Sequence, residues 1–252
     1  MSALVNFNTL NQTEKYDTLS EKYNVMTTGN IVSDFEERGF VVTDYKEARI
    51  RKEDRRYKQK HFVRMSMKDD VEMMERPEIV IHNSYDGSSP LKMYMGIYRF
   101  VCSNGMIVGD HLTEPLSIRH NNNGWEQLLY SFIDAYEEKV AMQQEIINAM
   151  KNYYMSYSDE VRFSERAILL REESKDVLDP RELVLVRRKE DIGKNLWLTF
   201  NKVQESLIQG LFQKVYTNEE GNQYYAKANL LSDVNRIIDI NNKLGAMAKG
   251  ML

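Results

Sequence analysis

Four histidines, at 61, 82, 111 and 120, and one cysteine, at 102, are the chain's whole supply of imidazole and thiol. No two histidines stand at His-x-x-x-His or His-x-His spacing, and no carboxylate completes a familiar ligand pattern. Asp86 and Asp110-His111 come together only if loops bring them together, which nothing local requires. Gly105-Met-Ile-Val-Gly109 lacks the Lys-Ser/Thr that completes a phosphate loop, and no Gly-x-Ser-x-Gly nucleophile elbow occurs. Cys102 lies in an apolar run, where a thiol behaves as a small hydrophobe. A single cysteine excludes an internal disulfide and a cysteine-cluster metal site. The expectation is therefore no catalytic residue, no metal and no cofactor, with enzymatic activity disfavoured rather than excluded.

Binding chemistry is better represented. Between Lys46 and Lys68 stand ten Lys/Arg against three acids, a local charge of +7 in a chain whose formal net charge is −4. Such a segment offers a footprint for a polyanion, a contact for an acidic neighbouring subunit, or a solvated connection. As a nucleic-acid footprint it comprises Arg49, Arg51, Lys52, Arg55, Arg56, Lys58, Lys60 and Arg64. Downstream, Leu91–Val101 alternates. One face carries Lys92, Tyr94, Gly96, Tyr98 and Phe100, and the other carries Leu91, Met93, Met95, Ile97, Arg99 and Val101. The second is a core face with one costly member, Arg99. On the first, Tyr94, Tyr98 and Phe100 are candidates to stack bases while cations follow the phosphates. A helix packed over that face is the competing reading. Arg119, in Ile118-Arg-His120, is a candidate phosphate contact. Asn83, Ser84, Asp86 and Gly87 read as an Asx-type turn, and Asn104-Gly105 as a tight turn.

These residues need elements to hold them. Residues 1–22 are polar and weakly patterned, and read as a loosely ordered arm. Thr28–Gly39 reads as a short helix with Gly39 at its stop. Strands are expected at 40–45, 61–67, 78–82, 91–101, 106–108 and 116–120. After Asn121-Asn-Asn-Gly124 the apolar period changes, and Trp125 to Tyr154 reads as one long amphipathic helix. Further helices are expected at 163–173, along Leu196–Leu211 and at 231–248, with a turn at Asn218–Gly221. The fold class is α+β: an antiparallel sheet in the N-terminal half, packed by a long helix and further C-terminal helices. The arm is followed by a single domain, 23–252, strand-rich over 40–120 and helical over 125–252. No apolar run approaches the roughly 20 residues that span a bilayer, and the N-terminus has no secretory pattern. The expectation is a cytoplasmic protein with no membrane partner.

Several segments, in this order and spacing, resemble the phage, prophage and plasmid family known as domain of unknown function 932. They are Ile81-His-Asn-Ser-Tyr-Asp-Gly-Ser-Ser89, Tyr98-Arg-Phe-Val-Cys-Ser-Asn-Gly-Met106, Ile118-Arg-His120, Arg187–Glu205 and Val234–Leu244. The resemblance covers residues 23–248. It implies a setting in mobile genetic elements, near genes for DNA metabolism or evasion of host defence, and carries no catalytic residue. Together with the basic segment it leads to a functional expectation. This is a nucleic-acid-binding protein of a phage or mobile element, with single-stranded DNA favoured, serving replication, recombination or annealing, and forming a homo-oligomer. The rivals are an anti-defence protein that binds a host defence protein or sequesters a nucleotide, and a structural or assembly protein.

Overall fold

The alternation in His61-Phe-Val-Arg-Met-Ser-Met67 sends Val63 and Met65 to one side of a strand and Phe62 and Arg64 to the other. The neighbouring segments repeat this pattern, and the outcome is a five-stranded antiparallel sheet in the order β1-β2-β3-β4-β5. The structure, a computed structural model, describes residues 8–50, 53–73, 75–99, 115–121, 123–172, 179–231 and 233–252, with the backbone alone at 98, 99, 234, 235 and 238. The strands are β1 (Phe40–Glu47), β2 (His61–Met67), β3 (Glu75–Asn83), β4 (Leu91–Arg99) and β5 (Leu116–Ile118). Val63 pairs with Ile81, Ile81 with Met93, and Leu91 with Ile118. The expected strand at 106–108 lies outside the described residues.

One sheet face is covered by α1 (Thr28–Glu36), α2 (Trp125–Asp134) and the start of α3 (Tyr136–Asn152). Ile31, Val32 and Phe35 of α1 and Leu129, Phe132 and Ile133 of α2 are buried with Val63, Met65, Ile79, Ile81, Met93 and Met95. Phe40 meets Phe35 and Tyr136 edge-on, with ring centroids 5.2 and 4.9 Å apart. Each such large side chain contributes about 1.5–3 kcal/mol by leaving water. Gly39, at φ +89°, turns the chain from α1 into β1.

The opposite face holds charge. Glu78 is fully buried and accepts from Arg64 Nε at 2.6 Å, Arg76 Nε at 2.8 Å and Thr43 Oγ1 at 3.1 Å. Two guanidinium groups surround one carboxylate, and Arg76 also donates to the Val71 carbonyl at 2.7 Å. Beside them His82 stacks on Phe62 at 4.3 Å. Tyr94 is on this face too and is 1% exposed.

Residues 8–27 form turns but no helix or strand, so their backbone groups need partners elsewhere. The ends of β2 and β3 and the loop after β3 supply several of them. The Thr28 hydroxyl accepts from Asn83 Nδ2 (3.0 Å) and Tyr85 OH (2.9 Å), and donates to His61 Nε2 at 2.7 Å. The His61 ring then donates from Nδ1 to the Gln59 carbonyl at 3.0 Å. Tyr85 OH accepts from the Thr28 N–H, and Asn83 also donates to the Met26 carbonyl. Further along, the Tyr16 N–H donates to the Tyr85 carbonyl and the Gly29 N–H to that of Leu10.

The described residues divide into two compact units, the first up to Ala141 and the second from Met142. The division falls inside α3. In the second unit α4 (Tyr157–Ile168) begins at a Ser156/Asp159 capping box, and α5 (Leu196–Gln209) at an Asn195 cap. Lys202 and Thr199 of α5 both donate to Glu160 of α4 at 2.7 Å. Arg171 donates to the carbonyls of Leu207 and Asn229. β6 (Gln213–Thr217) and β7 (Gln223–Lys227) form a hairpin, and α6 (Val234–Lys249) packs on α5.

Three details differ from the sequence expectation. The stretch 125–154 is two helices interrupted at Ala135, because backbone bonding tightens locally where the Ala135 N–H reaches both Ile133 and Ser131 carbonyls. The helix expected at 163–173 begins at Tyr157, where its cap is. The hairpin around 218–221 was legible only as its turn; its strands are almost wholly exposed and show no clean apolar alternation. Among the described residues no helix is long and apolar enough to cross a membrane.

Thr28→Val is expected to strand three buried partners of one hydroxyl and lower unfolding free energy by about 3 kcal/mol in urea titration. Glu78→Ala leaves two cations facing each other and should cost about 3–5 kcal/mol in the same assay, while truncating the exposed Lys243–Asp239 pair should change nothing measurable. Burial holds His61 neutral, lowering its pKa from 6.5 to about 4, and does the same to His82, to about 3, with repulsion from Lys60 and Lys92. The unfolded chain protonates both near pH 6.5, so stability is full above that pH and is lost as pH falls towards 4 and then 3. The expected slope reaches about 1.4 kcal/mol per pH unit for each ring. Urea titrations at pH 7, 5 and 4 measure it, and His61→Gln or His82→Gln should flatten the curve.

Candidate anion-binding cleft

The loop from Asn83 to Pro90 closes on itself through short side chains. Asn83 Oδ1 accepts from the Ser84 N–H at 2.8 Å. Ser84 Oγ donates to the Ser89 carbonyl at 3.1 Å and accepts from the Ser89 N–H at 3.0 Å. Asp86 accepts from the Ser88 N–H at 3.0 Å, the Asx turn expected from the sequence, and from the Ser88 hydroxyl. Gly87 sits at φ +74°, and a Cβ there would meet the Leu19 side chain at 2.7 Å. Glycine thus permits both the turn and the close passage of the arm.

The arm and the end of β5 meet this loop. Tyr23 OH donates to the Ser84 carbonyl at 2.9 Å, and its ring stacks on His120 at 4.4 Å. The Asn24 N–H donates to the His120 carbonyl, and His120 Nδ1 lies 3.0 Å from the Asn24 carbonyl. These contacts border an open cleft of about 420 Å³ lined by Ser20, Lys22, Tyr23, Gly87, Ser89, Pro90, Arg119, His120 and Asn121. That volume is in the range of small-molecule sites, about 300–1,000 Å³. Lys22 and Arg119 are exposed, and no lining residue is acidic.

His120 is 6% exposed, and burial lowers its pKa, opposed by the carbonyls of Asn24 and Ser89. The neutral ring donates from Nδ1 to Asn24, which leaves Nε2 a buried acceptor without a hydrogen bond. His82 Nε2 is likewise buried and unbonded, and its Nδ1 lies 3.5 Å from Ser89 Oγ behind the loop. Lys60 and Lys92 are near enough to His82 to disfavour its protonation, so cations flank the loop as well as the cleft. Among the described residues no group of three or more His, Cys, Asp or Glu gathers into a metal site.

The residues singled out from the sequence are scattered. Arg119 lines the cleft. Arg49 is exposed. Arg55 lies 3.8 Å from Asp86, which ties the basic segment to the cleft loop, and 5.3 Å over the Tyr16 ring. Arg56 pairs with Glu53 at 2.5 Å and Lys58 with Asp17 at 3.9 Å, while Lys60 is half-buried. Arg64 is committed to the buried Glu78. The Tyr94 ring is packed inside and presents no face to a base. Arg51, Lys52 and Phe100 lie outside the described residues, as does the side chain of Tyr98. Cys102, Asn104, Gly105, Asp110 and His111 lie outside them too. Sequence reasoning missed Ser20, Lys22 and Tyr23, because a polar arm without periodicity gives no sign of where it docks.

A family model described as domain of unknown function (DUF932) matches residues 15–230. It starts earlier than the resemblance read from the sequence and ends before α6, and it takes in every residue lining the cleft. The chain is 25% identical over 246 residues to UPF0380 protein YafZ of Escherichia coli (strain K12), covering 95% of this chain and 86% of that one. It is 25% identical over 243 residues to UPF0380 protein YfjQ of the same organism, with the same coverage. No solved structure matches the chain. With most of its length matched by one family model, the chain belongs to the DUF932 family.

Proposed function

We propose that this protein is a nucleic-acid-binding protein of a phage or related mobile element, and that it holds single-stranded DNA by a phosphate seated in the cleft. The observation that carries this reading is the meeting of Lys22 and Arg119 in a cleft whose lining contains no carboxylate. Phosphate contacts supply affinity without sequence preference, which suits replication, recombination or annealing. Arg49 and the half-exposed Arg55 extend positive potential on the same unit and would steer a polyanion toward the site. In this reading the protein works in the host cytoplasm as a homo-oligomer and needs no cofactor. The volume of the cleft, in the range of small-molecule sites, favours a second reading, sequestration of a free nucleotide by an anti-defence protein.

Fluorescence anisotropy of a labelled single strand at low and high salt tests the proposal. Binding should weaken as salt rises, and Lys22→Glu or Arg119→Glu should each weaken it and flatten the slope of log affinity against log salt by about 0.7. Arg56→Glu, which breaks an existing ion pair, should have a smaller effect. Affinity unchanged by both cleft substitutions would remove the cleft from the reading.

A further inference from the structure

We infer that the cleft takes the phosphate monoester at the end of a strand, with its terminal nucleotide, rather than an internal phosphodiester. This rests on the nucleic-acid reading above and deepens it. The first ground is shape. The cleft is bounded by three segments, the arm at 20–23, the loop at 87–90 and the end of β5 at 119–121. The Tyr23–Ser84, Asn24–His120 and Ser84–Ser89 hydrogen bonds tie these segments to one another. It is larger than a lone phosphate requires, and among the described residues several cations of the basic segment are already paired with acids. Lys46 pairs with Asp44, Arg56 with Glu53, Lys58 with Asp17 and Arg64 with Glu78. An internal phosphodiester needs the strand to leave on both sides, and these four cations would have to leave their acids to follow it.

The second ground is charge. A phosphate monoester carries about −1.5 to −2 near neutral pH, whereas a diester carries a single charge. Lys22 and Arg119 form no ion pair with any described residue, and together they match a dianion. Asn121 and Ser20 add an amide and a hydroxyl to the same lining. The third ground is the aromatic wall. Tyr23, half-buried and stacked on His120, offers a flat apolar surface beside the cations, the pairing that a terminal base and its phosphate require.

The experiment compares single strands of one sequence carrying an internal base label: a linear strand with a 5′ phosphate, one with a 3′ phosphate, one with hydroxyls at both ends, and a covalently closed circle. A nucleoside monophosphate serves as competitor. One phosphorylated strand should bind at least tenfold more tightly than the hydroxyl-ended strand and the circle. The monophosphate should displace it, and Arg119→Ala, at an exposed position that leaves the fold intact, should erase the preference. If the circle and the hydroxyl-ended strand bind as tightly as both phosphorylated strands, end recognition is overturned while nucleic-acid binding stands. If no strand binds at low salt but the monophosphate does, the nucleic-acid reading and the strand-end inference both fall and free-nucleotide sequestration replaces them. If nothing binds, the cleft is not an anion site at all.

Discussion

The hydroxyl of Thr28 is the point on which the first unit depends. It satisfies three side chains at once, and each belongs to a different part of the chain: His61 opens β2, Asn83 closes β3, and Tyr85 starts the loop that becomes one wall of the cleft. Nothing apolar could do this, because burying these groups without partners would be prohibitive. The arm has no regular structure to satisfy its own backbone, and the ends of β2 and β3 have polar side chains that need partners; each resolves the other's deficit. The cleft follows from that match, since its arm wall is in place only when residues 16–27 lie against the ends of β2 and β3 and the loop that follows.

Charge in this chain is placed more carefully than its density suggests. Ten cations in the basic segment look like a footprint, but several are used internally or matched locally. Arg64 joins Arg76 around Glu78 inside the unit, at a desolvation cost that only the surrounding hydrogen bonds offset. Lys58 and Arg56 face acids, and Arg55 steadies the loop carboxylate Asp86. The unmatched pair that converges on a concave surface, Lys22 and Arg119, comes from two segments nearly a hundred residues apart in sequence, each adding one cation to an otherwise unremarkable stretch.

That contrast explains what could be read in advance. Strands β1 to β4 were legible because their alternation is strong, and α5 because its apolar stripe is regular. The α+β class and the antiparallel sheet followed from those. The Asx turn at Asp86 was legible because its chemistry is local. The interruption at Ala135 was not, since apolar spacing runs through it unchanged. Tyr94 was read as a stacking surface because alternation assigns a side chain to a face but says nothing of what covers that face. Arg119 was identified from its place at a strand end, whereas Lys22 sits in an arm whose docking is set by tertiary hydrogen bonds.

Because the arm forms one wall of the cleft, occupancy and arm docking are a single equilibrium. A ligand that bridges Lys22 and Arg119 joins the arm to the end of β5 and adds its binding free energy to the hydrogen bonds of Tyr23 and Asn24. The segment least supported by its own secondary structure is therefore the one whose protease resistance and amide protection depend most on what the cleft contains. The site's affinity and the arm's local stability rise and fall together, so a substitution that loosens the arm weakens the ligand as well.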